Sequence, residues 1–278
     1  MWVKLRWGYV VAGVGVVCAD VDGGGIVRIH LLYNNNINKE IIMMNTDTRV
    51  EGWLTRNEGE LLYLMARSCR HPLVEIGSYK GKSTIHLGMG SQDGHQPTVY
   101  AVDTWHDYFG SGDTKDEFRK NIDAMGLNEI ISPIRSPSNK AVNKFQDGIL
   151  DLVFIDGNHN LALEDYRLWL PKLRDGGFMV VHDTTSSLLN KLPGWPEPKK
   201  VANHMFHSSG FKQIGLCDTI TWGVVGDSGL LGSFGKRGVW IGRRVPDLLH
   251  HISWFCFGWR WSKFSEIKQM GTKQKRAG

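Results

Sequence analysis

The sequence predicts a doubly wound α/β domain with a mostly parallel sheet and an antiparallel final strand. Three observations support this fold class. Short apolar segments alternate with amphipathic helical patterns between Thr55 and Val181. The segment Leu150–Ile155 is apolar except at Asp151, which is typical of a strand buried on both faces of a parallel sheet. A glycine-containing turn at residues 77–81 directly follows the first predicted strand, and regular alternation of this kind builds right-handed βαβ units.

The elements follow in order after a capping box formed by Thr55 and Glu58, which predicts the start of the first helix. The expected strands of the parallel sheet are residues 72–76, 98–102, 130–134, Leu150–Ile155 and 178–181. One expected helix begins at Lys82, and two more cover residues 115–125 and 139–145. A fourth is indicated by the apolar stripe of Leu163, Tyr166, Leu170 and Leu173, and Gly176 and Gly177 are expected to end it. Residues 211–216 and 219–225 are expected to close the sheet as an antiparallel pair.

The charge distribution divides the 278-residue chain. Ten basic and two acidic residues follow Leu231, so the rest of the chain carries a net charge of −3 although the whole carries +5. A net negative charge on the residues before the tail argues against nucleic acid as the partner. We expect three parts: an N-terminal extension at 1–44, the α/β domain at 45–226, and a basic, aromatic tail at 227–278.

The N-terminal extension lacks the periodicity of the domain and has two interpretations. It is either a small β-hairpin that decorates the domain, or sequence upstream of the natural start codon. The second interpretation rests on Lys39 and Glu40, whose codons can form a ribosome-binding sequence shortly before Met43 and Met44. Translation would then begin at one of these two methionines.

The turn after the first strand is a candidate cofactor loop, because parallel sheets bind ligands outside the carboxyl ends of their strands. Residues 81–84 read Gly-Lys-Ser-Thr, but a phosphate-binding P-loop needs four residues between its glycines and only three separate Gly77 from Gly81. Tyr79 occupies the place of the middle glycine of a dinucleotide fingerprint. Glu75 and Gly77 instead fit the acidic-x-Gly loop of class I methyltransferases, and a merely tight turn is the alternative.

Asp103 is the main partner of this loop, because an acidic residue at the end of the second strand suits the two hydroxyls of an adenosine ribose. Trp105 is expected either to cover the adenine or simply to pack in the core. Ser136, beyond the third strand, is a weaker candidate for the adenosine. The full set of expected cofactor contacts is Glu75, Gly77, Ser78, Tyr79, Gly81, Ser83, Asp103, Trp105, Ser136 and Asp156.

The candidate chemical site lies at the ends of the fourth and fifth strands, where Asp156 and Asp183 are expected to converge. Two buried carboxylates need a compensating cation or hydrogen-bond donors, and Mg²⁺ or a similar hard ion prefers such oxygen ligands. His159 would remove the proton of a substrate hydroxyl, with His182 as a reserve ligand or base. The structural alternatives are helix capping by Asp156, hydrogen bonding of Asp183 to loop N–H groups, and an ordinary surface position for His159.

Four stretches together resemble the class I S-adenosylmethionine-dependent methyltransferases, in particular the branch of macrocin-type sugar O-methyltransferases and, more distantly, catechol O-methyltransferases. The resemblance covers residues 51–226 and rests on VEIGSYKGKST, VDTW, LDLVFIDGNH and LRDGGFMVVHD. It implies a Rossmann-like fold, S-adenosylmethionine as the cofactor, and cofactor contacts at Gly77, Ser78 and Asp103.

In metal-dependent members of that family an Asp after the fourth strand and an acidic residue after the fifth bind Mg²⁺, which implies these roles for Asp156 and Asp183. The resemblance also places the base at His159. Two departures concern the metal ligands: Thr184 stands where catechol-type enzymes have Asn, and His182 stands where macrocin-type enzymes have an acidic residue. The alternatives to O-methylation are a non-catalytic cofactor-binding relative and an N- or C-methyltransferase of the same fold.

The tail carries Leu248, Ile252, Phe255 and Trp259 at helical spacing among basic residues. We expect it to pack on the domain or on another subunit, with peripheral contact to an anionic membrane as the alternative. The apolar run at residues 9–17 is too short for a bilayer span, and the four scattered cysteines form no metal or disulfide pattern. The short apolar run and the cysteines predict a cytoplasmic protein. The family resemblance implies a glycan or small-molecule acceptor.

Overall fold

The computed structural model describes residues 50–106, 112–185 and 195–227, together with the backbone of a separate hairpin. That hairpin pairs β1 (Val17–Val21) with β2 (Val27–Leu31) in antiparallel register, with Val17 opposite Leu31. This agrees with the hairpin interpretation of the N-terminal extension. The start of translation at Met43 or Met44 stays a prediction, and the basic tail lies outside the described residues.

The domain has six helices within the described ranges: α1 (Arg56–Ser68), α2 (Lys82–Asp93), α3 (Lys115–Ala124), α4 (Ser138–Ala141), α5 (Ala162–Trp169) and α6 (Pro196–His207). Its strands are β3 (Leu73–Ile76), β4 (Val99–Asp103), β5 (Ile131–Arg135), β6 (Leu150–Ile155), β7 (Leu173–Val181), β8 (Phe211–Cys217) and β9 (Ile220–Val225). Among the described helices, none is long and apolar enough to cross a bilayer.

The seven strands form one sheet in the order β5-β4-β3-β6-β7-β9-β8. Neighbouring strands from β5 to β7 pair in parallel, and β9 is antiparallel to both of its neighbours. This confirms the predicted fold class. The chain leaves β3 toward β4 and β5 on one side and later returns to β6 on the other, so the strand order reverses beside β3, where such sheets bind ligands.

Helices cover both faces of the sheet, as the apolar β6 predicts. Phe154 points into the core shared with α1, α2 and α3, whereas Val153 and Ile155 point into the core shared with α5 and α6. All three side chains are at most 3% exposed. Alternate burial on the two faces leaves the strand ends as the place where polar groups reach the surface.

Two sequence predictions are wrong at the level of elements. The helix with Leu163 and Tyr166 ends at Trp169, and Leu173 already belongs to β7, which pairs with β6 from Leu150 onward. The glycine pair lies inside β7, where a register shift with Gly176 at φ +83° interrupts the pairing. The helix α6 was not predicted, and its first turn contains Pro196 and Pro198, a place where proline is tolerated.

Close packing of α1 on α2 encloses His86, which is 3% exposed and lies against Gly59. Burial lowers the pKa of His86 to about 4, and the charge of Lys82 adds to this effect. In the unfolded chain the imidazole takes up its proton near pH 6.5. Between pH 6.5 and pH 4 the unfolded state therefore binds more protons than the folded state. The stabilising contribution of neutral His86 is complete above pH 6.5 and is lost as the pH falls toward 4.

We expect the free energy of unfolding to fall by about 2 kcal/mol more between pH 7.5 and pH 5 in the native protein than in His86→Leu. Urea titrations of both proteins at the two pH values measure this difference, and any constant packing cost of the substitution cancels. Equal pH dependence in the two proteins would show that His86 is not buried in its neutral form.

Candidate functional site

The carboxyl end of β3 turns sharply into the loop at residues 77–81. Gly77 has φ +88°, and a Cβ there would lie 2.4 Å from Gly157 Cα and 2.5 Å from the backbone oxygen of Asp156. Gly81 caps α2 with φ +93°. Glycine is required at Gly77 because the backbone after β6 lies directly against it, so the cofactor loop and the chemical site are in contact.

Glu75, in β3 just before the loop, is completely buried. Its carboxylate accepts hydrogen bonds from the hydroxyls of Ser83 and Thr84 in the first turn of α2. Burial raises the pKa of Glu75 to about 7, although these hydroxyls oppose the shift. Glu75 and Ser83 thus join β3 to α2 in this structure, and their direct contact with a cofactor stays a prediction.

Asp103, at the end of β4, holds the loop through its carboxylate. Oδ2 accepts hydrogen bonds from the backbone N–H groups of Ser78 at 2.8 Å and Tyr79 at 2.9 Å, and Oδ1 accepts the N–H of Trp105 at 2.7 Å. The sequence predicted that Asp103 and the loop would meet, and they do. The backbone N–H of Ser136 donates to the Asp103 carbonyl at 3.0 Å, so Ser136 also lies at this strand end.

Trp105 packs in the core in this structure, and its direct contact with a cofactor stays a prediction. Its side chain is 1% exposed and lies against Phe118, with ring centroids 5.1 Å apart. The indole N–H donates to the Tyr79 carbonyl at 2.9 Å. Tyr79 has φ +45°, a left-handed conformation that is uncommon for residues other than glycine.

The ends of β6 and β7 bring together the predicted chemical residues. Ligand atoms of Asp156, His159 and Asp183 all lie within 4.8 Å of one another. His159 Nε2 is 3.0 Å from Asp183 Oδ2. The His159 ring stacks in parallel on Trp195, with centroids 4.7 Å apart, and the backbone N–H of Trp195 donates to the Asp183 carbonyl at 3.1 Å. Trp195 therefore holds the plane of the imidazole, a contact that the sequence analysis missed.

His182 is the main surprise of the site. Its side chain is buried, with 4% exposed. Nδ1 lies 3.0 Å from Asp156 Oδ1, and Nε2 lies 3.3 Å from Glu58 Oε2. Burial disfavours the charged imidazole, but the carboxylates of Asp156, Asp183 and Glu58 outweigh it and raise the pKa of His182 well above its usual value. The buried imidazolium partly balances the converging carboxylates.

The two site carboxylates differ in their surroundings. Burial raises the pKa of Asp156 above its usual value despite the attraction of His182. Burial acts in the same sense on Asp183, but hydrogen bonds and charges from His159 and His182 outweigh it, so the pKa of Asp183 is strongly lowered. Asp183 is thus an anion at neutral pH, and it has φ +55°, a strained conformation that clusters at functional sites.

Thr184 does not extend this group of ligands. It is completely buried and its hydroxyl contacts the Thr219 carbonyl at 2.9 Å and the Thr221 hydroxyl at 2.6 Å. Its hydroxyl therefore points toward the residues at the start of β9. Within the described residues, the side chains whose ligand atoms lie close enough to share a metal ion are Asp156, Asp183 and His159.

Residues 74–184 match the sequence model of a family described as "Methyltransferase domain". This range begins in β3 and ends just after Asp183, so it contains the glycine loop, Asp103 and the cluster of Asp156, His159 and Asp183. The match covers 111 of the 278 residues, so the chain is similar to this family over that range.

Solved structures share the fold of this chain at low sequence identity. Cofactor-bound Rv0187 from MTB is 17% identical with a TM-score of 0.50, over 70% of this chain and 92% of its own. The SAH-bound Podospora anserina methyltransferase PaMTH1 is 14% identical with a TM-score of 0.51, over 70% and 97%. A Corynebacterium glutamicum protein is 12% identical with a TM-score of 0.50, over 69% and 91%. These likenesses show the fold.

Proposed function

We propose that this protein is a class I methyltransferase that transfers the methyl group of S-adenosylmethionine to a hydroxyl of a sugar or another small molecule. The observation that carries the proposal is the convergence of Asp156, His159 and Asp183 beside the Gly77 loop. Methyl transfer to oxygen needs a proton acceptor next to the methyl donor, and this cluster supplies one. The sugar acceptor follows from the resemblance to the macrocin-type branch.

The glycine loop and Asp103 are the proposed cofactor site. Positive φ at Gly77 and Gly81 brings the backbone close to a ligand, and the helix α2 directs its free N–H groups toward the loop. Asp103 Oδ1 accepts one hydrogen bond in the structure, and a carboxylate oxygen can accept a second. A ribose hydroxyl is the donor that we propose for this place.

The donor set at the chemical site fits a hard divalent cation. Two carboxylates and one imidazole offer atoms within 4.8 Å of one another, and Asp183 is ionised at neutral pH. We propose that Asp156 and Asp183 hold Mg²⁺. When bound, the ion would lower the pKa of an acceptor hydroxyl and stabilise its oxyanion.

His159 is the proposed general base. As the acceptor oxygen bonds to the methyl carbon, the bond from that carbon to the sulfur breaks and S-adenosylhomocysteine leaves. The hydroxyl proton passes to the imidazole of His159, and Asp183 at 3.0 Å stabilises the resulting cation. Stacking on Trp195 keeps the ring from turning away.

A pair of variants separates the base from the metal ligands. We expect His159→Asn to lower kcat by about 100- to 10,000-fold while Mn²⁺ binding stays near the native value. We expect Asp183→Asn to weaken Mn²⁺ binding at least tenfold. Turnover is followed as S-adenosylhomocysteine released with a panel of sugar and phenol acceptors, and Mn²⁺ binding by electron paramagnetic resonance. Loss of Mn²⁺ binding in His159→Asn would make His159 a ligand and not the base.

A further inference from the structure

Glu58 reaches the chemical site from α1, outside the strand ends that form the rest of it. Its side chain is 1% exposed, and Oε2 lies 3.3 Å from His182 Nε2. The two residues are 124 positions apart in the chain. A buried contact over this distance joins the first helix of the domain to the end of β7.

The Glu58 carboxylate has no freedom to turn away from His182. Oε1 accepts hydrogen bonds from the backbone N–H of Thr219 at 2.9 Å and from its hydroxyl at 2.6 Å. Oε2 accepts the backbone N–H of Thr55 at 2.9 Å, which completes the capping box of α1. Both oxygens are therefore held by groups that belong to fixed elements.

The imidazole of His182 is held on both sides. One ring nitrogen faces Glu58, and the other lies 3.0 Å from Asp156 Oδ1 and 3.6 Å from Asp183 Oδ2. Phe154 lies edge-on to the ring with centroids 6.2 Å apart. A rotation of the ring would break the contacts with Glu58 and Asp156 together, so the position of Glu58 determines where Nδ1 points.

We propose that Glu58 is a positioning residue that orients His182 and, through it, the carboxylate of Asp156. The proposal rests on the proposed function, in which Asp156 holds a divalent cation. Outer partners that orient a ligating carboxylate typically change metal affinity 10- to 100-fold when they are removed. Glu58 touches neither the cation nor the substrate, and it acts through the His182 ring.

The test compares Glu58→Gln with Thr219→Val. Glu58→Gln keeps the length of the side chain but removes the charge and one acceptor oxygen facing His182. Thr219→Val removes only the hydroxyl bond to Oε1, so it measures what the same carboxylate contributes to folding. The two readouts are Mn²⁺ binding by electron paramagnetic resonance and the His182 ring signals in ¹⁵N–¹H spectra of histidine-labelled protein, assigned with His182→Asn.

We expect Glu58→Gln to weaken Mn²⁺ binding 10- to 100-fold and to shift the His182 Nε2–H signal, with Thr219→Val near native in both. In the His182→Asn background, Glu58→Gln should then change Mn²⁺ binding by less than about threefold, because the two residues act in series. An unchanged His182 signal in Glu58→Gln overturns the proposal. Equal effects of Glu58→Gln and Thr219→Val also overturn it, because the role would then be structural.

The same experiment separates a failure of this proposal from a failure of the proposed function. If the native protein binds no Mn²⁺, the metal role of Asp156 fails, and the His182 signals in Glu58→Gln still decide whether Glu58 orients the ring. If Glu58→Gln does not fold, the native protein decides through its Nε2–H signal. That signal is protected from exchange with solvent if Glu58 holds the ring, and its absence contradicts the proposal.

Discussion

Gly77→Ala is expected to lower the free energy of unfolding by roughly 2 to 6 kcal/mol and to abolish methyl transfer. The added Cβ would lie 2.4 Å from Gly157 Cα, and neither backbone can yield without moving the end of β3 or the end of β6. The φ of +88° adds the strain of a left-handed conformation. Because Asp156 directly precedes Gly157, the same displacement misplaces the chemical site.

Gly126→Ala is the matched control for this substitution. Gly126 also has a positive φ, +67°, but a Cβ there meets nothing within 4 Å. It should cost only the conformational strain, about 1 kcal/mol. Denaturant unfolding of the two variants measures the difference. Similar losses in both would mean that the strand ends do not approach one another as closely as the structure shows.

The second large effect is expected for Asp103→Asn. The two oxygens of the Asp103 carboxylate accept hydrogen bonds from three backbone N–H groups. The Asn side chain has one acceptor oxygen, so its NH₂ group must face at least one of these N–H donors. Hydrogen bonds to a charged group are worth about 1.5 to 3 kcal/mol each. We expect the affinity for S-adenosylhomocysteine to fall 100-fold or more, and the amide protons of Ser78 and Tyr79 to exchange faster.

The control for Asp103→Asn is Asp123→Asn, which neutralises an exposed carboxylate on α3. It should leave both the affinity and the exchange rates near native. Calorimetry gives the affinity, and hydrogen exchange reports on the loop without any ligand. Native exchange at Ser78 and Tyr79 in Asp103→Asn would contradict the role of Asp103 in holding the loop.

The sequence predicted the parts of the fold that depend on local pattern. The strand Leu150–Ile155 has its predicted bounds, because a buried parallel strand is marked by its own apolar residues. Asp103 and the Gly77 loop meet as predicted, since parallel strands that are neighbours end at the same edge of the sheet. The capping box of Thr55 and Glu58 is also confirmed.

What the sequence analysis missed depends on contacts between distant segments. Glu58 satisfies a local capping pattern, so nothing in the sequence signals its second contact with His182. The adjacent pair His182 and Asp183 gave no indication of which side chain faces inward. The signal that was available for α6 is its apolar spacing after Pro198, at Val201, Ala202 and Met205, which are completely buried.

The central claim is the proposal that this protein binds S-adenosylmethionine at the Gly77 loop and Asp103. Calorimetric titration of the purified, folded chain with S-adenosylhomocysteine tests it most directly. We predict micromolar binding with one site per chain, weakened by Asp103→Asn and unchanged by Asp123→Asn. The absence of binding to the folded native protein would contradict the claim.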